Sequence, residues 1–288
     1  MDITIKNART GKSLSLTKEQ GITLIKVTGL EPVKASLTTQ QNIGTNGVSI
    51  INVCTAGRSI TLNLALEGTS PQTARRKIYE VATPTEKVIL LIYTEGRAYK
   101  ATGYVEAVQV DTWSTLQPVQ IDVLCSSPYL ESVNSTLKIG TNAQPKFKFP
   151  FHTDKNSEDI LYFGEKQDVV QTVIQYDGEI PTGAIFSIIA SEPMTNPVIT
   201  NLVSGHSLGI TGSLAKDEEL RICTETGSKS IKIVNRLTGA ERNALKMKAS
   251  AFDWLKIEQG ENILILSATQ GAQTAVFTVE YSEKFVGV

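Results

Sequence analysis

Cysteine and histidine are scarce in this sequence, and their spacing excludes the common metal and disulfide frameworks. The 288 residues include only 3 Cys and 2 His. Cys54, Cys125 and Cys223 are odd in number, widely spaced and without a C-x-x-C pair, so neither a zinc site nor a disulfide framework is predicted. His152 and His206 have no histidine or cysteine at metal-ligand spacing. We expect no metal ligands, and three reduced, mostly buried thiols that fit folding in a reducing cytosol.

The chain also lacks an excess charge and a long apolar run. Its 28 Lys and Arg against 29 Asp and Glu give a net charge of −1, which offers no electrostatic basis for binding nucleic acid or acidic membranes. The longest basic run, Arg75–Lys77, is interpreted as a solvated helix face. The longest apolar run, Val88–Tyr93, is far below the ~18 residues of a membrane span. We therefore expect no membrane insertion. Because Met1–Ile5 resembles no signal peptide, we expect no signal-directed export, and cell lysis would release the protein.

Sequence motifs of catalysis are missing as well. The sequence contains no G-x-S-x-G, G-x-G-x-x-G, Walker A or H-E-x-x-H motif. The carboxylate run Asp217–Glu219 could serve a calcium or glycosidase site, but it is interpreted as the turn before a strand. His206 lies in Ser204–Ser207, a segment whose composition is typical of a turn. We therefore predict that the protein is not an enzyme and has no catalytic, cofactor-binding or metal-binding residues.

Aromatic residues are sparse, at 8 Tyr, 8 Phe and 2 Trp. A sugar-binding protein would be expected to expose aromatic rings for stacking, and Trp113 and Trp254 are the candidates. A position in the core or in an interface is the favoured interpretation for both. Carbohydrate binding stays open as the alternative function.

Short strands separated by Gly, Asn, Pro and Thr turns dominate the first half. Residues 58–66 (RSITLNLAL) alternate with the period of two that indicates a half-buried strand. The same pattern predicts strands at Tyr99–Val110 and Pro118–Cys125, and the apolar run in Lys87–Tyr93 predicts a buried strand. The first half is thus α+β, with mostly antiparallel strands.

One helix is predicted between the first two of these strands. Ser70 can cap it, and Pro71 suits its first position. Apolar residues recur at a spacing of three to four, and Thr83-Pro84 ends the helix. The residues that carry this spacing are Ala74, Ile78, Val81 and Ala82.

A domain boundary is predicted near Ser126–Tyr129, where strand periodicity stops and the polar segment Asn134–Asn142 follows. Many short strands with turn chemistry then indicate a β-sandwich. Ala240–Met247 is ambiguous and could form a helical turn. We expect domains at residues 1–132 and 133–288. The predicted strands are Lys146–Phe151, Asp168–Tyr176, Ala184–Ala190, Val198–Thr200, Glu219–Thr224, Ser230–Ile233, Asn262–Ser267 and Ala275–Tyr281.

The order of these patterns resembles the distal tail proteins of siphophages. In that family a strand ending in C/A-x-x-P-Y/F closes the first domain, as Cys125–Tyr129 does here. The first half carries the resemblance in Gly57–Leu64, Ala74–Tyr79, Lys87–Tyr93, Arg97–Val105 and Gln120–Tyr129. The second half carries it in Gly183–Phe186, Asn196–Asn201, Glu218–Ile222 and Gly260–Leu264.

The resemblance implies a mainly β fold, with an N-terminal α+β ring-forming domain (an antiparallel β-sandwich with one helix) followed by a galectin-like β-sandwich. It implies a structural protein that forms a homo-hexameric ring and joins the tail tube to the host-adhesion device at the phage tail tip. The implied partners are the tail tube protein, a tail-associated hub or lysin protein, and a receptor-binding protein. The protein would be made in the host cytoplasm and reside in the virion.

Alternatives and two local hypotheses accompany this assignment. With 288 residues the chain has little room for the inserted sugar-binding module of some family members. The sequence does not separate an infectious phage from a defective prophage or a tail-like bacteriocin. The Thr- and Asn-rich stretch Ser36–Val53 suits a half-buried subunit interface. Three apolar residues in Ser282–Val288 would be costly to leave in water, so this segment is expected to dock on one of the domains.

Overall fold

The computed structural model describes residues 1–42, 44, 46–67, 71–111, 117–145 and 164–288, with the backbone alone at 141–145 and 164–169. The chain forms two compact units, residues 1–134 with 284–288, and residues 135–283. The second unit is therefore an insertion in the first. The expected division at 132/133 placed 284–288 in the second domain, whereas the structure packs these residues in the first unit.

The elements follow one another mostly as short strands. The first unit begins with β1 (Asp2–Asn7), β2 (Ser13–Ser15), a 3-10 turn (Lys18–Gln20), β3 (Ile22–Thr28), β4 (Ala35–Gln41), β5 (Val48–Thr55), β6 (Arg58–Leu66), α1 (Pro71–Val81), β7 (Lys87–Tyr93), β8 (Ala98–Val110), β9 (Gln117–Cys125) and β10 (Leu130–Ser132). The second unit contains β11 (Thr136–Pro145), β12 (Gly164–Tyr176), β13 (Ala184–Ile189), β14 (Met194–Thr195), β15 (Val198–Asn201), β16 (Ser207–Gly209), β17 (Ser213–Leu214), β18 (Glu218–Cys223), β19 (Ser230–Asn235), β20 (Glu241–Asn243), 3-10 turns at Leu245–Met247 and Ala272–Thr274, β21 (Gly260–Ser267) and β22 (Val276–Tyr281). The chain returns to the first unit with β23 (Lys284–Phe285).

The first unit is an antiparallel sheet that encloses one side of α1. Its strand order is β2-β1-β7-β8-β9-β6-β3, and β10 joins β8 to β23. The helix contacts β1 and β2 near one end of this order and β6 near the other, so the sheet curls around it. Ala74, Ile78 and Val81 form the buried stripe of the helix, as predicted. The predicted cap Ser70 lies outside the described residues.

Strand periodicity explains the core of this unit. In β6 the side chains of Ile60, Leu62 and Leu64 are fully buried, and those of Val119 and Ile121 in the neighbouring β9 meet them in the same core. The predicted bounds of β6 and β7 agree with the structure, and those of β8 and β9 agree within one residue at each end. The mainly β fold with a helix in the first half is confirmed.

The second unit is a sandwich whose two sheets share one strand. The first part of β11 pairs with β22, and its last part pairs with β12, so the strand passes from one sheet to the other. Side chains of both sheets, such as Phe186 and Phe277 from one and Ile174 and Leu264 from the other, meet in a single core. This arrangement agrees with the predicted β-sandwich.

Sequence periodicity missed β11. No strand was predicted in the polar segment Asn134–Asn142, whereas Thr136–Pro145 is a strand. Leu137 and Ile139 of this strand are exposed, so main-chain pairing with two neighbours defines it rather than an apolar face. The predicted strand Lys146–Phe151 lies outside the described residues. The ambiguous Ala240–Met247 divides into strand β20 and a 3-10 turn.

No helix in the described ranges combines the length and the apolar character that crossing a bilayer requires. The longest of them, α1, has 11 residues.

Two buried asparagines, Asn201 and Asn262, are hydrogen-bonded to each other in the second unit. Asn262 donates from Nδ2 to the carbonyl of Glu258 at 2.7 Å, and its Oδ1 accepts from Asn201 Nδ2 at 3.0 Å. We expect Asn262→Ala to destabilise the protein by about 1–3 kcal/mol, because the buried amide of Asn201 loses its acceptor. Urea unfolding of the variant measures this loss. The exposed Gln259→Ala is the control, and an equal effect of both substitutions would contradict the assignment.

Candidate subunit interface

The hairpin of β4 and β5 carries a group of exposed aliphatic side chains. The two strands pair with each other, and no other described strand pairs with either. All of their residues are exposed, and five aliphatic side chains between positions 37 and 53 have 53% to 62% of their area in solvent. These side chains are Leu37, Val48, Ile50, Ile51 and Val53. Residues 35–55 contain no charged side chain.

An isolated two-stranded hairpin is marginally stable in water, and an exposed apolar surface of this kind marks an interaction site. The described residues of Ser36–Val53, which the sequence suggested as a half-buried interface, are exposed in the single chain. A partner that covers it would supply the burial that the hairpin lacks. We define these two strands as the interface hairpin.

A β-bulge sorts the side chains of the interface hairpin onto two faces. Leu37 lies opposite Val53, Thr39 opposite Ile50 and Gln41 opposite Val48, with a register shift between Thr38 and Thr39. Opposite residues of an antiparallel pair share a face. The aliphatic side chains of positions 37, 48, 50 and 53 thus lie on one face. Positions 36, 38, 40, 49, 52 and 54, on the other face, are polar except for Cys54.

Without the bulge, this segregation would fail. Val48 and Ile50 occupy even positions, Val53 an odd one, and a regular strand would put Val53 on the opposite face. The extra residue at the bulge, Ile51, returns Val53 to the face on which Val48 and Ile50 lie. The interface hairpin is therefore an amphipathic ribbon with one apolar, uncharged face.

Arg58 anchors the base of the interface hairpin. Its side chain is buried, with 1% of its area exposed. Nη1 donates to the carbonyls of Gly29 and Glu31 at 2.7 and 3.0 Å, and Nε and Nη2 donate to the carbonyl of Pro128 at 3.0 and 2.8 Å. Burial lowers the pKa of Arg58, but an arginine stays charged in proteins. The guanidinium joins the segment before β4 to the end of the first unit.

Two glycines allow the backbones at this base to approach closely. Gly29 has φ +88°, and a Cβ there would lie 1.9 Å from the carbonyl oxygen of Ser59. A Cβ on Gly57, the residue before Arg58, would lie 2.6 Å from the carbonyl oxygen of Cys125. Side chains at these positions would push the hairpin base away from β6 and β9.

The three cysteines differ in exposure. Cys125 is buried, Cys223 is partly exposed, and Cys54 is exposed on the interface hairpin. The expectation of three mostly buried thiols was therefore wrong for Cys54, because the strand that carries it is exposed at every residue. Burial raises the pKa of Cys125 to about 11, while the charge of Arg58 acts to lower it. No group of His, Cys, Asp or Glu in the described ranges could hold a metal ion.

We expect iodoacetamide at pH 8 to alkylate Cys54 in the native protein and to leave Cys125 unmodified. The raised pKa keeps the Cys125 thiol protonated at this pH, and burial blocks access to it. Mass spectrometry of tryptic peptides over time measures the two rates. Protein unfolded in guanidinium is the control, in which both residues should react. Equal native rates would contradict the structure.

The remaining polar candidates form surface pairs and do not converge on a cleft. His206 Nδ1 lies 3.0 Å from Asp253 Oδ2, and both side chains are about half exposed. Glu218 and Glu219 bind Arg242 and Arg221, and Asp217 adopts a positive φ of 64° in the turn before β18. This turn position agrees with the interpretation of Asp217–Glu219. His152 lies outside the described residues, and the absence of catalytic residues stays a prediction.

Trp254 does not present a free ring. It is half-buried in the second unit, Phe252 meets it edge to face at 5.1 Å between ring centroids, and Lys229 Nζ lies 5.2 Å from its centroid. It also packs against the core of this unit, in keeping with the favoured interpretation. The other candidate, Trp113, lies outside the described residues.

Comparison with known proteins places these features in a family context. Residues 177–285 match the protein family described as siphovirus-type tail component, C-terminal domain. No curated protein sequence matches the chain. The predicted resemblance to siphophage tail proteins is confirmed by this match for most of the second unit.

Solved structures extend the likeness to the first unit. The chain resembles the Dit protein (gp 19.1) of phage SPP1, described as a paradigm of the hub adsorption apparatus in phages that infect Gram-positive bacteria, with a TM-score of 0.65 and 14% identity over 98% of this chain and 99% of that one. At this identity the likeness establishes a shared fold. Weaker matches are chains of the phage P2 baseplate in its activated conformation, with calcium (TM-score 0.49, 12% identity) and with strontium (0.48, 11%), each covering 97% of both chains.

Proposed function

We propose that this chain is a distal tail protein of a siphophage or related particle, a structural baseplate hub that forms a homo-hexameric ring. The observation that carries the proposal is the family match over residues 177–285. The fold shared with the Dit protein of phage SPP1 across nearly the whole chain supports it. The role is structural, without catalysis and without a cofactor.

The interface hairpin supports assembly into a ring. A ring requires head-to-tail contacts between two different patches of the same subunit. The hairpin is one such patch, because it exposes an uncharged apolar face that nothing in its own described sheet covers. We infer that residues 1–134 with 284–288 build the ring and that the hairpin of one copy packs on the first unit of the next.

The remaining assignments follow from this role. The ring would join the tail tube protein to a tail-associated hub or lysin protein, with a receptor-binding protein as a further partner. The second unit would be the galectin-like sandwich of the family. The protein would be made in the host cytoplasm and reside at the tail tip of the virion. Direct carbohydrate binding is disfavoured, because Trp254 is half-buried and its ring contacts Phe252 and Lys229.

Electron microscopy of the purified chain tests the proposal. Negatively stained particles should average to closed rings with six-fold symmetry, and gold-labelled antibody against the chain should mark the tail tip of the intact particle. Single compact particles at every concentration, together with label on the capsid or along the tube, would overturn it.

A further inference from the structure

The segment 284–288 returns from the second unit and inserts into the first. Phe285 is 3% exposed and lies opposite Leu130 in the β10–β23 pair. Tyr99 meets its ring edge to face at 5.3 Å, and the guanidinium of Arg97 lies 5.1 Å from its centroid. Phe285 belongs to the core cluster of the first unit. The predicted docking of Ser282–Val288 therefore takes place on this unit.

Beyond Phe285, the segment reaches the residues that hold the interface hairpin. Arg58 Nη2 donates to the carbonyl of Val286 at 2.6 Å. Val288 donates its amide to the carbonyl of Leu30 at 3.1 Å. Gly287 passes so close that a Cβ would lie 3.0 Å from the carbonyl oxygen of Leu30 and from Pro32. The guanidinium of Arg58 thus binds both this segment and the connection before β4, through Gly29 and Glu31.

We infer that residues 284–288 are a latch whose seating orders the base of the interface hairpin. Residues 29–34 connect β3 to β4, and three of their carbonyls accept hydrogen bonds from Arg58 or from the latch: those of Gly29, Leu30 and Glu31. If the latch is unseated, Arg58 loses one of its four carbonyl acceptors and Leu30 loses its donor. The linker then gains freedom, and the hairpin that it carries loses a fixed direction.

The consequence for assembly rests on the proposed function. Residues 135–283 lie between β10 and the latch. In the folded second unit Thr136 lies opposite Tyr281, so the two ends of this unit are held together and the entropic cost of bringing Phe285 to Leu130 is lowered. Seating the latch would then be a condition for presenting the hairpin to the next copy. Assembly of the ring would thereby depend on the folding of the second unit.

Hydrogen exchange of the full chain tests the latch directly. We expect Phe285→Ala and Gly287→Val to remove amide protection from residues 29–41 and 48–57 and to lower the melting midpoint of the first unit by roughly 10 °C for Phe285→Ala. Leu237→Ala, at a position 80% exposed in the second unit, is the control and should change neither. Unchanged protection of residues 29–41 in both latch variants would overturn the inference.

A truncated chain provides a second test that does not depend on substitutions. A chain ending at Glu283 should lose the same protection, and the added peptide Ser282–Val288 should restore it. Failure of the peptide to restore any protection would count against a separable latch. Mass measured on the same samples separates the two proposals. A wild-type chain that never assembles, yet shows the latch effect on exchange, would overturn the ring and keep the latch. Latch variants that assemble like wild type would overturn the coupling to assembly.

Discussion

Replacing Arg58 by methionine is expected to destabilise the first unit by about 3–5 kcal/mol. The substitution keeps the length of the side chain but removes every donor. The carbonyls of Gly29, Glu31, Pro128 and Val286 then lose a charge-assisted hydrogen bond in a site that is closed to solvent. Relief of the buried charge offsets part of the loss. Differential scanning calorimetry resolves the melting of the first unit and measures the change.

Two further variants make the Arg58 result specific. Arg9→Met removes an exposed arginine that pairs with Glu86 at the surface, and it should leave the melting curve unchanged. Arg58→Lys keeps the charge but cannot span the carbonyls that the guanidinium reaches, so it should recover only part of the stability. Melting of Arg58→Met within error of wild type would contradict the anchoring role.

Charge on the apolar face of the interface hairpin is expected to prevent assembly. Ile50→Asp and Val53→Asp would each bury an unpaired carboxylate in the subunit contact, which costs several kcal/mol and weakens association on the order of a hundredfold or more. The fold of the single chain should not change, because both side chains are exposed in it. Sedimentation velocity across a concentration series measures the association.

Matched substitutions on the opposite face test which face of the interface hairpin contacts the next subunit. Ser49→Asp and Asn52→Asp introduce the same charge next to the same positions, but their side chains lie on the polar face. We expect these variants to assemble with an affinity close to that of the wild type. Equal loss of assembly from both faces would contradict the bulge-defined apolar face.

Much of the fold could be predicted because periodicity records burial. Residues 58–66 and 118–125 alternate between apolar and polar side chains, residues 87–93 contain a continuous apolar run, and each is a strand of the first unit. The same alternation already contained a signal for Arg58, which lies in phase with Ile60 and Leu62 and therefore points to the core. A charged residue in the buried phase of a strand indicates a network of hydrogen bonds.

Other features depend on contacts that no local pattern records. β11 exposes its aliphatic residues and is defined by pairing with strands far along the sequence. Residues 284–288 contact Leu130 and Leu30, which lie about 150 and 250 positions earlier in the chain. The apolar content of the segment therefore predicted that it docks but did not predict where. The phase shift of the interface hairpin is visible in Val48, Ile50 and Val53, although the bulge is recognised only once the pairing of β4 with β5 is known.

The mass of the purified 288-residue chain in solution tests the central claim most directly. Multi-angle light scattering at micromolar concentration should give six times the 31.3 kDa of the single chain, with the Ile50→Asp variant reduced to one chain and the Ser49→Asp variant unchanged. A mass of a single chain for the wild-type protein at every concentration, and also in extracts of the assembled particle, would contradict a ring-forming hub.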